Sequence, residues 1–364
     1  MNLNTRRLHD LGQSLWLDNI TREILTNGAL ARYIAELSVT GLTSNPTIFE
    51  HAIAGGKLYD APISDMARRG NSGEDLFLAL ALQDLTEAAD LLRPVFDATG
   101  GVDGWVSLEV SPLLADDTTK TIGAAASLHA AAARPNLFIK IPGTPAGLPA
   151  IEESIFAGVP INVTLLFSRE QYVAAAEAYM RGIERRIAAG RDPKVESVAS
   201  LFVSRWDVAV NDQVPPRDHN RLGIAIAMRT YKAYCDLLAS ARWQRLAQAG
   251  AHRQRLLWAS TGTKDPAASD TFYLEALAAP DTINTIPEKT LQAFADHGKV
   301  GAALPADGGN AEAVLDEFRR GGVDVDALAA RLQREGADAF VKSWQALLSR
   351  IREKTEDFGE VNSR

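Results

Sequence analysis

Cysteine is almost absent from this sequence, in which Cys235 is the only one among 364 residues. A single cysteine cannot form an internal disulfide bond, and it excludes a zinc module built from several cysteines. Long apolar runs are missing as well, since no stretch approaches the ~18 residues of a membrane-spanning helix. The first 16 residues carry charged side chains such as Arg6 and Asp10 where a signal peptide would be apolar. We therefore expect a cytoplasmic protein that does not enter a membrane.

Positive charge is also scarce. The chain has 38 Lys and Arg against 46 Asp and Glu, which gives a formal net charge of −8. A protein that binds duplex nucleic acid gains affinity from clustered Lys and Arg, so this balance argues against a nucleic-acid partner. With 46% hydrophobic and 23% charged residues, the composition is that of an ordinary globular protein.

Short β-like runs alternate with longer amphipathic or alanine-rich runs along the chain. The predicted strands are 14–18, 41–43, 106–109, 137–141, 161–166, 197–203, 256–260 and 282–285. The helical regions that follow them include 29–37, 74–96, 117–133, 146–157, 169–189, 220–248, 269–278 and 287–296. Strands that alternate with helices imply a parallel sheet, and eight such units predict a closed (β/α)₈ or TIM barrel.

The length would suit two or three domains, but single barrels run to roughly 250 residues and beyond. No convincing linker interrupts the pattern, because the polar cluster 215–218 and the glycine-rich stretch 298–309 are short. We predict a single α/β barrel domain over residues 1–364. Residues from about 309 to 354 carry an apolar stripe and are expected to form extra C-terminal helices packed on the barrel.

Motifs for a cofactor or a metal are weak. The run 55–58 (GGKL) lacks the earlier glycine and the following Ser or Thr of a phosphate-binding loop. No G-x-G-x-x-G follows a strand. The six histidines are scattered without an i, i+4 pair, which disfavours a zinc site. We expect neither a cofactor nor a metal.

Polar side chains occur near the C-terminal ends of six predicted strands, although a buried barrel strand should be nearly all apolar. They are Asp18, Thr43-Ser44-Asn45, Glu109, Lys140, Asn162 with Thr164, and Ser200 followed by Arg205. In (β/α)₈ enzymes the active site lies at this end of the barrel. We expect these side chains to share one mouth.

Lys140 is the most informative of them and lies in the segment 137–142 (LFIKIP), with no acidic residue nearby in the sequence. One interpretation is a strand-end lysine that extends into solvent, since unpaired lysines are almost never buried. If the side chain is buried instead, desolvation disfavours the ammonium form. A neutral amine in an apolar pocket is the nucleophile of Schiff-base chemistry on a carbonyl group.

The other strand-end residues each leave two interpretations open. Asp18 could be a general base or a helix cap or turn former. Asn162 and Thr164 are two apart, so a strand places both on one face. Such a pair suits a polyhydroxylated ligand or a satisfied network in the core. Ser200 and Phe202 share a face by the same argument.

Two cations are candidate phosphate contacts. Arg205 lies just past the sixth strand and could bind a phosphate with two hydrogen bonds, or it could pair with Asp207 or Asp212. Lys264 follows the seventh strand, in a region where barrels often bind phosphate. The alternative for Lys264 is a solvated loop lysine.

The segments that carry these residues resemble the transaldolases. TSNPTIF at 43–49 is similar to the N-terminal signature of that family, and NLFIKIP at 136–142 is similar to its Schiff-base lysine segment. Further matches lie, in order, at 16–18, 106–110, 161–168 and 200–205. The resemblance covers roughly residues 11–298, and the length resembles the longer bacterial members, which carry extra C-terminal helix.

The resemblance implies a class I transaldolase of the non-oxidative pentose phosphate pathway, a monomer or homodimer acting on sugar phosphates. A Schiff base would form with sedoheptulose 7-phosphate or fructose 6-phosphate. The dihydroxyacetone unit would then pass to glyceraldehyde 3-phosphate or erythrose 4-phosphate. The implied catalytic residues are Lys140 as nucleophile, Asp18 as base, and Glu109 with Thr164 holding a water molecule. The implied substrate-binding residues are Asn45, Asn162, Ser200, Phe202 and, for the phosphate, Arg205.

One departure from the family concerns the phosphate site. Many relatives have a second arginine near the seventh strand, where this sequence has Lys264, which would act as a point charge without bidentate geometry.

Two other functions are compatible with a barrel of this kind. The first is a sugar-phosphate aldolase of the same superfamily, which releases the three-carbon unit. Those enzymes usually carry glutamine in place of Glu109 and tyrosine in place of Phe202, so both residues favour transfer. The second is an inactive barrel that only binds sugar phosphates, and the intact set Asp18, Glu109 and Lys140 argues against it.

Overall fold

Eight parallel strands form a closed barrel in the computed structural model, which describes residues 2–361 and the side chains up to residue 356. The strands are β1 Gln13–Asp18, β2 Val39–Thr43, β3 Trp105–Glu109, β4 Leu137–Pro142, β5 Ile161–Leu166, β6 Ser197–Phe202, β7 Arg255–Ala259 and β8 Thr282–Ile286. Each strand pairs with the next along the chain, and β8 pairs with β1. The predicted (β/α)₈ barrel is confirmed.

Helices lie between consecutive strands, before β1 and after β8, and surround the barrel. They are α1 Leu3–Asp10, α2 Arg22–Thr26, α3 Ala29–Leu37, α4 Pro46–Gly55, α5 Asp60–Arg68, α6 Gly73–Ala98, α7 Thr118–Ala132, α8 Gly147–Ala157, α9 Arg169–Ala188, α10 Ser204–Val210, α11 Leu222–Ala239, α12 Ala241–Gln248, α13 Phe272–Ala276, α14 Glu288–His297, α15 Ala311–Arg320 and α16 Val325–Val361. Short 3₁₀ turns lie at Pro112–Leu114, Asn211–Gln213 and Pro216–Asp218. None of the helices described is long and apolar enough to cross a membrane.

The helical region predicted over 220–248 consists of two helices. Ser240 has extended backbone angles, φ −66° and ψ 145°, and separates α11 from α12. Its hydroxyl accepts a hydrogen bond from the backbone N–H of Trp243, so serine acts there as an N-cap. The helix predicted over 269–278 is also shorter in the structure, because only Phe272–Ala276 is helical.

The N-terminal end of the barrel contains a buried charged cluster. Arg255, at the start of β7, donates hydrogen bonds to Ser14 Oγ at 2.6 Å and to Asp103 Oδ1 at 3.2 Å. Asp103 also accepts a hydrogen bond from the indole of Trp16 at 3.1 Å. Since these groups satisfy one another, the cluster is a packed part of the core.

The two C-terminal helices pack on the barrel units. α15 contacts α11, and α16 contacts α4, α5 and α6. Ser343 of α16 has its Oγ 2.8 Å from Thr47 Oγ1 of α4. Lys354 of α16 forms an ion pair with Asp60 of α5. α16 thus lies beside the C-terminal ends of the strands, and we propose that the whole chain forms one barrel domain.

Candidate active site

A cavity of about 270 Å³ opens at the C-terminal ends of the strands. Eight of the ten predicted site residues line it: Asp18, Asn45, Lys140, Thr164, Ser200, Phe202, Arg205 and Lys264. Glu109 and Asn162 are buried beside it rather than in its wall. The volume is near the small end of the range for ligand pockets, which suits a small polar molecule.

Lys140 lies at the base of this cavity and is 6% exposed. Its Nζ donates a hydrogen bond to the carbonyl oxygen of Ser44 at 3.0 Å and lies 3.6 Å from Glu109 Oε2. The interpretation of a solvent-exposed strand-end lysine is therefore wrong. The acidic partner is distant in the sequence, but β3 and β4 pair with Glu109 directly opposite Lys140.

Glu109 is almost completely buried, and neither of its carboxylate oxygens has a hydrogen-bond partner among residues 2–361. Burial raises its pKa to about 6, against the opposing attraction of the Lys140 ammonium. A carboxyl group with such a pKa exchanges protons readily near neutral pH. Glu109 is therefore suited to general acid–base chemistry at the amine.

The raised pKa of Glu109 predicts a pH-dependent gain in stability for Glu109→Gln. Because the pKa of Glu109 in the folded protein lies above its ordinary value of 4.5, protonation of Glu109 stabilises the folded state, and this contribution is complete below pH 4.5. That stabilisation is lost as the pH rises through about 6. The free energy of unfolding of the variant, relative to wild type, should thus rise by roughly 2 kcal/mol between pH 4.5 and 7.5.

Urea denaturation at the two pH values measures this change. Glu87→Gln is a matched control, because Glu87 is exposed on α6 and its replacement should show little dependence on pH. A relative stability of Glu109→Gln that stays constant over this range would contradict the expectation.

Asp18 ends β1 and is oriented by a neighbouring strand. Thr43 Oγ1 donates a hydrogen bond to Asp18 Oδ1 at 2.9 Å, and Thr43 Oγ1 lies 2.5 Å from Thr285 Oγ1. Burial raises the pKa of Asp18, while Lys140 opposes the increase. The nearest helix, α2, has Thr21 rather than Asp18 at its N-cap position, so the helix-cap interpretation is wrong. The carboxylate is instead fixed in the cavity wall.

Asn162 forms a hydrogen-bonded network below the cavity. Ser200 Oγ donates to Asn162 Oδ1 at 2.7 Å, and Asn162 Nδ2 donates to Ser107 Oγ at 3.1 Å. Asn162 is fully buried, so the structure favours the core-network interpretation for this residue. Thr164, on the same strand, does line the cavity, and its hydroxyl has no hydrogen-bond partner within the described part of the chain.

Arg205 is the second residue of α10 and, with Lys264, is one of two lysine or arginine residues that line the cavity besides Lys140. Its guanidinium carbon lies 5.5 Å from the centre of the Phe202 ring, and burial lowers its pKa. The proposed ion pair with Asp207 or Asp212 is wrong, since no described carboxylate lies within 4.0 Å of Arg205. Asp207 instead accepts hydrogen bonds from Gly223 N at 3.0 Å and Tyr273 Oη at 2.7 Å. The guanidinium is therefore available to an anionic ligand, as is the exposed Lys264.

Several residues in the cavity wall were not predicted from the sequence. Thr261 lies two residues after β7, and Thr285 is the penultimate residue of β8. The rule that identified the other strand-end residues could therefore have found both. His51 of α4 was treated as one of several scattered histidines. Phe340 of α16 belongs to the apolar stripe of residues 309–354, which was expected only to pack on the barrel. Its ring centre nevertheless lies 6.0 Å from Lys140 Nζ.

Metal ligation has no evident basis in this cavity. Among residues 2–361, no group of three or more His, Cys, Asp or Glu side chains is arranged to hold a metal ion. The chemistry that the cavity does offer is a buried amine between two carboxyl groups, with cations at the rim.

Comparison with known proteins gives matches over nearly the whole chain. The family described as "Transaldolase/Fructose-6-phosphate aldolase" matches residues 15–351. A protein named "Transaldolase" from Thermobifida fusca is 46% identical over an alignment of 357 residues, which covers 95% of this chain and 96% of that protein. One of the same name from Parafrankia sp. is 46% identical over 352 residues, covering 94% and 95%. A third, from Thiobacillus denitrificans, is 44% identical over 355 residues, covering 95% and 99%.

Proposed function

This chain belongs to the transaldolase/fructose-6-phosphate aldolase family, and we propose that it transfers a dihydroxyacetone unit between sugar phosphates through a lysine Schiff base. The donor is sedoheptulose 7-phosphate or fructose 6-phosphate, and the acceptor is glyceraldehyde 3-phosphate or erythrose 4-phosphate. The observation that carries the proposal is the burial of Lys140 beside Glu109 at the base of a polar cavity.

Schiff-base formation begins when the neutral amine of Lys140 attacks the C2 carbonyl of the ketose. The carbinolamine oxygen must then leave as water, which requires a proton. Glu109, with a pKa of about 6 and Oε2 at 3.6 Å from Nζ, passes a proton from the attached nitrogen to this oxygen. A second proton, taken up from solvent and delivered by Glu109, lets the oxygen leave as water, and the iminium remains on Lys140. The hydroxyl of Thr164, which has no hydrogen-bond partner among the described residues, supports this step, because it can orient a water molecule that carries protons between Glu109 and the carbinolamine.

Cleavage needs a base on the other side of the bound ketose. Asp18 takes the proton of the C4 hydroxyl, the C3–C4 bond breaks, and its electron pair flows into the iminium to give an enamine. The aldose phosphate leaves with C4 as its aldehyde carbon. Addition to the acceptor reverses these movements, and the proton on Asp18 returns to the new C4 oxygen. Thr43 supports this role because its hydrogen bond keeps the carboxylate in one orientation.

The rim residues account for binding of the phosphate and the hydroxyl groups. Arg205 has the planar donors that fit a phosphate, and Lys264 adds a point charge at the exposed side. Asn45 and Ser200 line the cavity where the hydroxyls of the substrate would lie. Asn162 acts through Ser200, since it holds that hydroxyl from below.

A change of Arg205 should reveal the phosphate site. Arg205→Ala should raise KM for fructose 6-phosphate on the order of 100-fold, because charge-assisted hydrogen bonds contribute roughly 1.5–3 kcal/mol. The KM for unphosphorylated fructose should change less than about threefold. Steady-state kinetics with both sugars measures the contrast, and equal changes would remove the phosphate role.

The second candidate is an aldolase of the same family, which releases the three-carbon unit. Glu109 and Phe202 favour transfer, as the relatives that cleave usually carry glutamine and tyrosine there. Incubation with fructose 6-phosphate should give sedoheptulose 7-phosphate when erythrose 4-phosphate is present. Without an acceptor, little free dihydroxyacetone should appear. Rapid release of dihydroxyacetone would favour the aldolase, and no reaction under either condition would favour an inactive sugar-phosphate binder.

The proposed activity belongs to the non-oxidative pentose phosphate pathway. We further propose that the protein acts in the cytoplasm as a monomer or a homodimer. The relatives support the pathway through their names alone.

A further inference from the structure

β5 is irregular where it presents Thr164. Between Val163 and Leu166 the strand has one more residue than the facing segment of β6 between Ala199 and Leu201. The extra residue, Leu165, has φ +58°, in the left-handed region that leucine rarely adopts. This is a β-bulge, and bulges beside active sites redirect side chains. An unfavourable backbone conformation of this kind persists only where its surroundings hold it.

Gln333 of α16 supplies the contact that holds the bulge. Its Nε2 donates hydrogen bonds to the carbonyl oxygens of Leu165 at 3.0 Å and of Gly143 at 3.1 Å. Both acceptors are carbonyl groups, so the position requires a side chain with two donor hydrogens. Gly143 directly follows β4, the strand of Lys140, and its N–H donates to Thr164 O at 2.8 Å. One amide therefore joins the ends of the two strands that carry Lys140 and Thr164.

The same face of α16 is shaped to fit the bulge. Gly336 lies three residues after Gln333, and a Cβ there would come within 3.0 Å of Leu165 Cδ2 and 3.5 Å of Phe167 Cζ. Phe340, seven residues after Gln333, reaches the cavity wall. Residues three and seven apart share one face of a helix, so α16 contacts the bulge and the cavity with a single surface.

We propose that Gln333 is a positioning residue for the transfer reaction. By fixing the bulge at Leu165, it keeps Thr164 in the cavity wall, on the strand next to that of Lys140. The inference rests on the proposed function, because it assigns Gln333 to the proton transfers of Schiff-base formation.

Gln333→Met tests the inference, since methionine keeps the length and the helix propensity but removes both donors. We expect kcat for transfer to fall on the order of tenfold with KM within about twofold, because small displacements of catalytic groups slow chemistry more than binding. Borohydride trapping of Lys140 with fructose 6-phosphate should slow in parallel. Lys354→Met is the matched control, because it removes the hydrogen bond of α16 to Gly56 O and its ion pair with Asp60 of α5 and leaves the strand ends untouched. That control should keep kcat within about twofold.

A rescue variant separates positioning from general loosening of the fold. Leu165→Gly relieves the backbone strain, since glycine adopts positive φ readily. The double variant Gln333→Met/Leu165→Gly should recover kcat to within about threefold of wild type, while its melting temperature falls because a buried side chain is lost. A further fall of kcat in the folded double variant would overturn the inference.

If the double variant does not fold, Gln333→Glu takes its place. An ionised carboxylate facing two carbonyl oxygens repels them, so its kcat should fall below that of Gln333→Met. Equal kcat for wild type, Gln333→Met and Gln333→Glu would overturn the inference. A wild-type protein that gives no trapped adduct would instead overturn the proposed function, so the two failures are distinguishable.

Discussion

Replacement of Lys140 by methionine should abolish transfer. Loss of a covalent nucleophile typically costs on the order of 10⁴-fold or more in kcat. Methionine fills the same buried volume without an amine, so a folded but inactive protein is expected. Borohydride treatment with fructose 6-phosphate, followed by peptide mass analysis, should place a reduced three-carbon adduct on Lys140 in the wild type and no adduct in Lys140→Met.

Lys264→Met provides the matched control for this experiment, because Lys264 is a second lysine in the same cavity wall. The adduct on Lys140 should still form in this variant, even if binding of the phosphate weakens. An unmodified Lys140 in the wild type, or activity that survives Lys140→Met, would contradict the Schiff-base mechanism.

Asp18→Asn should separate Schiff-base formation from carbon–carbon cleavage. Asparagine keeps an oxygen for the hydrogen bond from Thr43 but cannot accept the C4 proton. We expect kcat to fall on the order of 10³-fold, within the range for loss of a general base. The adduct trapped from fructose 6-phosphate should then change from the three-carbon unit to the whole six-carbon ketose phosphate.

Glu109→Gln distinguishes the two proton-transfer roles. Glu109 acts at the amine, so this variant should slow the formation of every adduct without changing which adduct accumulates. A three-carbon adduct that forms in Asp18→Asn at the wild-type rate would show that another group removes the C4 proton.

Much of the barrel is predictable from the sequence, because alternation of buried strands with amphipathic helices is a local pattern. The eight strands appear where β-like runs were predicted, with small differences at the ends. The break at Ser240 was missed because the flanking segments are both helix-like and serine alone is a weak signal. The bulge at Leu165 has no sequence signal, since leucine is not a residue that favours positive φ.

The candidate site was predictable to the extent that it lies on strand ends. Asp18, Lys140 and Thr164 were expected at one mouth because every parallel strand of a barrel ends there, and the cavity contains all three. The pairing of Lys140 with Glu109 depends on strand register, which a single sequence does not specify. Phe340 was missed because an aromatic residue in an apolar helical stripe has the same pattern whether it faces the core or a ligand.

The contribution of α16 to the cavity affects the order in which the parts of the site are made. Synthesis proceeds from the N-terminus, so Asp18, Glu109 and Lys140 leave the ribosome before β8 can close the barrel on β1. Gln333 and Phe340 follow only after that closure is possible. A nascent chain can therefore hold all its reactive side chains while one wall of the cavity is still untranslated. Closure of the barrel alone therefore does not complete the cavity, because Phe340 of α16 belongs to its wall.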